Sequence, residues 1–170
     1  MYRSLKEVTL STTPLFTTAE AKDFLKVDTT ADDTLIDNLI KAATESCQIY
    51  TNQYFLNTVV EQYSDKWSEI YTLYKSPVSS ITYIKYYATN GDLVTLDASN
   101  YILDDVSKPA RIGLAVDATL PSLSDRINAV HVKYTVGYGD DSTDVPDGIK
   151  SAVLITLANF YENRQSVITG

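Results

Sequence analysis

Between Asp32 and Thr51, apolar residues return every three or four positions: Leu35, Ile36, Leu39, Ile40, Ala43, Cys47 and Tyr50. That spacing gathers them on one side of an α-helix, and a one-sided apolar stripe needs a surface to cover it. From about Leu56 to Val136 the helical period vanishes. Val, Ile, Thr and Tyr become frequent, and turn residues punctuate short runs, which is the pattern of β-strands. The helical period returns after Pro146 with Ile149, Ala152, Val153, Leu157, Phe160 and Tyr161. Helices at both ends and strands between them specify an α+β fold. The expected architecture is a three-helix bundle from the N- and C-terminal segments, with helices near 17–26, 32–51 and 146–163. A β-rich insertion lies between the second and last helices. The domain reading is an N-terminal arm over 1–16, a helical domain from 17–56 and 137–170, and the insertion at 57–136.

Local chemistry sets the boundaries. Thr17-Thr18-Ala19-Glu20 spells a capping box, in which Thr17 accepts from a free first-turn N–H and Glu20 reaches back. Asn52 is placed to stop the second helix, since Asn tolerates the left-handed conformation. Pro146 is expected as the first residue of the last helix, where its missing N–H costs nothing. Candidate strands are Thr58–Tyr63, Ile70–Tyr74, Ser80–Tyr87, Leu93–Leu96, Tyr101–Leu103, Ile112–Leu114 and Ala129–Val136. Asn90-Gly91 signals a hairpin through two residues that accept positive φ. The last strand alternates most cleanly: Val130, Val132, Tyr134 and Val136 against His131, Lys133 and Thr135. Leu154, Ile155 and Ala158 make the last helix apolar almost all round, so it is expected to be enclosed on more than one side.

Few residues carry chemistry. One cysteine, Cys47, excludes an internal disulfide framework, and one histidine, His131, excludes a His-rich metal centre. Cys47 reads as a buried, inert thiol. His131 reads as a solvent or interface residue, because no nucleophile motif accompanies it. Gly137-Tyr138-Gly139 lacks the Lys-Ser/Thr of a P-loop and the third glycine of a dinucleotide fingerprint, and reads as a strand-to-helix turn. Asp140, Asp141, Asp144 and Asp147 supply hard oxygens without EF-hand spacing, and Asp104-Asp105 is similar with less support. These loop aspartates read as turn formers and caps. No catalytic residue, metal or cofactor is expected. The N-terminus has no apolar core of a signal peptide, and no apolar run approaches a membrane span. A soluble protein made in a reducing compartment is expected. Lys+Arg 14 against Asp+Glu 22 gives a net charge of −8, which disfavours nucleic-acid binding over most of the surface. Tyr supplies 13 of the aromatic side chains, against 4 Phe and 1 Trp, and Tyr suits half-wet faces and interfaces.

The chain resembles the head–tail connector proteins of tailed bacteriophages, also called adaptor or head-completion proteins. At the front the resemblance lies in Leu15-Phe16-Thr17-Thr18-Ala19-Glu20-Ala21-Lys22, Leu25-Lys26-Val27-Asp28, Asp32-Asp33-Thr34-Leu35-Ile36 and Leu39-Ile40-Lys41-Ala42-Ala43. It continues through Pro77-Val78 and Tyr101 to Gly137-Tyr138-Gly139, Val145-Pro146, Ile149-Lys150-Ser151-Ala152 and Tyr161-Glu162-Asn163-Arg164. Thr51-Asn52-Gln53 departs from the family's Thr-Gly-Arg, keeping the cap and losing the charge; Leu120-Pro121 replaces a Trp-Pro.

The resemblance implies a structural virion protein of the neck, made in the host cytoplasm and not an enzyme. It implies a dodecameric ring of this chain below the portal, extending the DNA channel and joining capsid to the next neck or tail-completion protein. DNA passes without sequence-specific binding, and an acidic lumen suits that passage better than a basic one. The resemblance places the portal or subunit interface at Tyr161, Glu162, Asn163, Arg164, Val167 and Ile168. The alternatives are a tail-completion protein at the lower neck, a small metal-dependent hydrolase using the aspartate loop, and a sandwich-type binding module.

Overall fold

A computed structural model describes residues 4–163 of the chain. The alternation in the last predicted strand carries through to burial. Val130, Val132, Tyr134 and Val136 are fully enclosed, while His131, Lys133 and Thr135 are half-buried on the opposite face. This strand, β7 (Val130–Val136), lies at the centre of a five-stranded antiparallel sheet. The other strands are β1 (Ser4–Thr9), β2 (Thr58–Ser64), β3 (Val78–Tyr87) and β4 (Leu93–Thr95), in the order β1-β2-β7-β3-β4. β2 and β7 pair in full, from Thr58 opposite Val136 to Ser64 opposite Val130. The β-rich region therefore begins and ends on neighbouring strands. A second, two-stranded sheet pairs β5 (Tyr101–Asp104) with β6 (Arg111–Leu114).

The sheet's enclosed face carries one buried amide. Gln62 is 0% exposed; its Oε1 accepts from the Tyr74 N–H at 3.1 Å and the Tyr134 O–H at 3.3 Å. Its Nε2 donates to the Thr72 carbonyl at 3.3 Å. One side chain thus fastens the 72–74 loop to the sheet and satisfies its own polar atoms in doing so.

Two strand expectations and one helix start change. Residues 4–9 are not part of an arm: Ser4–Thr9 pairs along β2 as an edge strand, its side chains almost all exposed. An edge strand covered on neither face carries no apolar alternation to read. Ile70–Tyr74 is not a strand. Ile70, Leu73 and Tyr74 are buried while Tyr71 and Thr72 are exposed, which is not a period of two, and the segment holds only a single bridge, Thr72 to Arg111. The β3–β4 hairpin forms at Asn90-Gly91 with a five-residue loop, since the strands close at Tyr87–Leu93, and there Gly91 alone takes positive φ, at 89°. Pro146 is the N-cap rather than the first helical residue. Its ψ of 137° is extended, while its carbonyl accepts from Ile149 and Lys150.

The chain forms two compact units. The sheet unit combines the N-terminal strand with residues 57–138, and the helical unit combines 11–56 with 139–163. The helical unit holds α1 (Thr18–Leu25), α2 (Asp33–Thr51) and α3 (Asp147–Glu162). The capping box forms as read: Thr17 Oγ1 accepts from the Glu20 N–H at 3.2 Å, and Glu20 Oε2 accepts from the Thr17 N–H at 2.8 Å. Asn52 takes the left-handed cap at φ 56°. Lys22 Nζ meets Asp33 Oδ1 at 2.7 Å and the Thr18 hydroxyl donates to Asp37 at 2.5 Å, so α1 is tied to the first turns of α2.

α2 packs on α3. Ile36, Ile40 and Ala43 on α2 and Val153 and Leu157 on α3 are buried. Each of the larger side chains contributes roughly 1.5–3 kcal/mol by leaving water. The α2 stripe fails at its last turn, where Tyr50 is 93% exposed and Cys47 is only half-buried, lining a cleft with Ile149, Ala152 and Thr156. On α3 the enclosure expected on several sides is not made among the described residues, since Ile155 is 65% exposed and Ala152 is exposed as well.

Candidate functional site

The outward face of the sheet gathers the aromatic and ionisable residues that alternate with its core. Cross-strand register sets the partners: Lys6 lies opposite Glu61, Glu61 opposite Lys133, Tyr63 opposite His131, Tyr83 opposite Lys133, and Lys85 opposite His131. Directly opposed residues share a face. Glu61 is the hub. Its Oε2 accepts from the Tyr63 hydroxyl at 2.7 Å and its Oε1 from the Tyr83 hydroxyl at 2.8 Å. His131 Nδ1 lies 3.8 Å from Glu61 Oε1, while His131 Nε2 donates to the Asn128 carbonyl at 3.1 Å. The rings of Tyr63 and Tyr87 meet His131 edge-on, at 4.6 and 5.6 Å between centroids. Cations cover the tyrosines from outside: Lys85 Nζ lies 4.4 Å from the Tyr83 ring and the Arg126 guanidinium 3.7 Å from the Tyr87 ring.

Burial pushes the Glu61 carboxyl up, but the two phenol hydrogen bonds, with His131 and Lys133 nearby, outweigh it and hold the group below its ordinary value of 4.5. Tyr63 is pushed up to about 12 by burial and by its bond to the carboxylate, and Tyr83 is raised for the same reasons. A carboxyl whose folded value is depressed stabilises the fold above its unfolded value; that contribution disappears as pH falls through the folded value. Glu61→Gln is therefore expected to flatten the acid limb of the stability–pH curve below about 4.5, and to leave the curve's shape above pH 6 unchanged. Urea denaturation at pH steps from 7 to 3 checks this; an unchanged acid limb contradicts it.

At the end of α3 the Tyr161 hydroxyl donates to Asp32 Oδ2 at 2.6 Å, joining the last turn of α3 to the start of α2. Glu162 is exposed. Asn163 closes the helix, its N–H donating to the Asn159 carbonyl at 2.9 Å and its Nδ2 to the same carbonyl at 3.1 Å. Arg164, Val167 and Ile168 lie outside the described residues. Tyr161→Phe deletes a bond to a charged acceptor and is expected to cost about 1–2 kcal/mol. Chemical denaturation measures it, and an unchanged midpoint contradicts the packing role.

The aspartate loop is occupied with itself. Asp141 and Asp144 form a reciprocal capping box around a short 3₁₀ turn at Ser142–Asp144, and Asp147 pairs with Lys150 at 2.9 Å. Gly139 belongs to the same construction, because a Cβ there would collide with the Asp144 side chain. Asp104, whose carboxyl accepts from Ser107 and Arg111, is drawn down to about 2 by those bonds. Among the described residues no three His, Cys, Asp or Glu side chains converge as a metal site requires.

Residues 14–169 match the sequence profile of the head completion protein family. The chain belongs to that family. Its fold is also that of chains in three solved structures. These are the neck of an empty gene transfer agent particle computed with C6 symmetry (TM-score 0.82), the virion of a native gene transfer agent particle (0.80), and the neck of the native particle computed with C12 symmetry (0.77). Each is 22% identical and aligns over 98% of this chain; the match covers 88%, 88% and 87% of the respective chains. At that identity the likeness establishes the fold. No curated protein matches the chain.

For a head completion protein, the outward sheet face is the feature least visible in the sequence. Glu61, Tyr63, Tyr83 and Tyr87 belong to it together with His131, and only His131 and the general abundance of tyrosine stand out along the chain. Alternation along each strand shows that these residues share a side with polar neighbours. The order of strands, which brings β2 and β3 to either side of β7, is what makes them one cluster.

Proposed function

We propose that this head completion protein is a structural component of the virion neck, the adaptor that forms a ring below the portal and continues the DNA channel toward the next neck or tail component. The observation that carries the reading is the match of residues 14–169 to one family, nearly the whole chain. The fold shared with neck chains of a gene transfer agent particle supports it, and the C12 symmetry used for one of those necks is consistent with a dodecamer. In this reading the three helices act as one bundle and the β-rich region is an insertion that enlarges the ring. Neighbours meet through heterologous contacts, one surface of each copy against a different surface of the next. Glu162, Asn163 and the segment holding Arg164, Val167 and Ile168 form the portal contact, with Tyr161 anchoring the helix that presents them. The chemistry of the chain suits such a role, with charged side chains engaged in caps, hairpins and a hydrogen-bonded tyrosine cluster.

The test is a reconstruction of the particle that contains this chain. A closed ring of copies between portal and tail, each side-by-side contact burying more than about 1,000 Å², is the expected result. One or two copies per particle would refute it.

A further inference from the structure

The net charge of −8 is not spread evenly. Within the described residues the helical unit carries 12 Asp and Glu against 4 Lys and Arg, a net −8, whereas the sheet unit carries 10 against 8, a net −2. The sheet's outward face reverses the sign locally. Lys6, Lys85, Lys133 and Arg126 stand on or over it, and Glu61, the carboxylate among them, is already engaged by two tyrosines. The face is amphipathic too, since the tyrosine rings that the cations cover are only half-buried. Tyrosine and arginine are enriched at subunit contacts, where they combine apolar area with polar or charged ends.

We propose that this Lys–Tyr sheet face is a subunit-docking surface, and that its occupant is the acidic helical unit of a second copy of this chain. The inference rests on the ring reading above and gives its heterologous contact a direction, sheet face to helical unit. Charge complementarity selects the occupant: a positive face finds its opposite on the same molecule's other unit, so identical copies attract head to tail, while sheet face against sheet face repels. Like-with-like contact is the two-fold dimer that a ring must avoid. Duplex DNA is the competing anion, and the chain's overall sign disfavours it.

The experiment treats assembled particles, or rings formed on portal, with a zero-length carbodiimide that joins Lys only to touching carboxylates. Mixed isotope-labelled and unlabelled copies mark the links made between chains. Expected are links from Lys85 or Lys133 of one copy to Asp or Glu of another copy's helical unit. The Lys85→Glu/Lys133→Glu variant, with wild-type Tm and circular dichroism, is expected to lose at least about tenfold in ring incorporation, and wild-type assembly should weaken as salt rises. Intact rings without such links, or full incorporation of the folded variant, overturn the proposal while leaving the ring standing. Absence of the wild-type chain from any ring overturns the neck reading itself. Duplex binding at physiological salt that the variant loses, with incorporation unchanged, assigns the face to DNA and also overturns the proposal.

Discussion

Gln62→Leu is expected to destabilise the protein by about 2–4 kcal/mol, the largest effect of any single substitution outside the apolar core. Leucine is close in volume, so the loss is one of hydrogen bonds rather than of packing. Gln62 Oε1 accepts from the Tyr74 N–H and the Tyr134 O–H, and its Nε2 donates to the Thr72 carbonyl, all inside a face where Gln62 itself is 0% exposed. Removing the amide deprives buried groups of a partner without removing their need for one, and that asymmetry exceeds the modest net value of the bonds themselves. Thermal denaturation should show a Tm lower by roughly 5–15 °C. Tyr134→Phe serves as the comparison. It removes the 3.3 Å bond to Gln62 and the hydroxyl's contacts with the Tyr74 and Lys75 backbone, but leaves the Gln62 amide bonded to Thr72 and Tyr74, and is expected to cost about 1–2 kcal/mol. If the two variants lose the same stability, Gln62 is not the fastening of the 72–74 loop.

Gln62 also shows where sequence reading reached and where it stopped. Strand β2 was legible from its composition and turn signals, and in the structure position 62 shares the enclosed face with Val60. What was not legible was that a Gln on that face would find three partners, because two of them lie in a loop whose strand-like composition, Ile70–Tyr74, is misleading. The helix boundaries were legible because their causes are local. Thr17 and Glu20 close a capping box within four residues, and Asn52 takes a conformation that few other side chains accept. Lys26, which ends α1 in the same left-handed conformation at φ 57°, was not legible, since nothing in a lysine announces it. The edge strand Ser4–Thr9 escaped for a different reason. Its pairing is made by backbone atoms, and burial leaves almost no pattern in its side chains.

Of the residues assigned to the portal interface, Tyr161 is bonded inward, to Asp32. Glu162 and Asn163 sit at the very end of α3.

That inward bond makes a truncation informative. A chain ending after Asn163 is expected to fold with a Tm within a few degrees of the full chain and to fail to attach to portal. Folding survives because the contacts that close α3 lie at or before the cut. Val153 and Leu157 are buried, Tyr161 is bonded to α2, and the Asn163 N–H and side chain both return to Asn159. A terminal helix held by its own buried face tolerates loss of the residues beyond it. Attachment fails, on the neck reading, because the cut removes Arg164, able to hold a carboxylate in a bidentate bond, and the apolar pair Val167 and Ile168. Two further variants divide the contribution. Arg164→Ala tests the charge, and Val167→Ser with Ile168→Ser tests the apolar pair. Co-sedimentation with portal particles reads all three, and circular dichroism reads the helix. Tyr161→Phe should bind portal as the full chain does, because the aromatic ring remains and only the hydroxyl is lost. Undiminished portal binding by the folded truncated chain would move the attachment surface elsewhere on the protein. Equal loss of binding in Tyr161→Phe would mean that the portal reads the position of α3 rather than the residues beyond it.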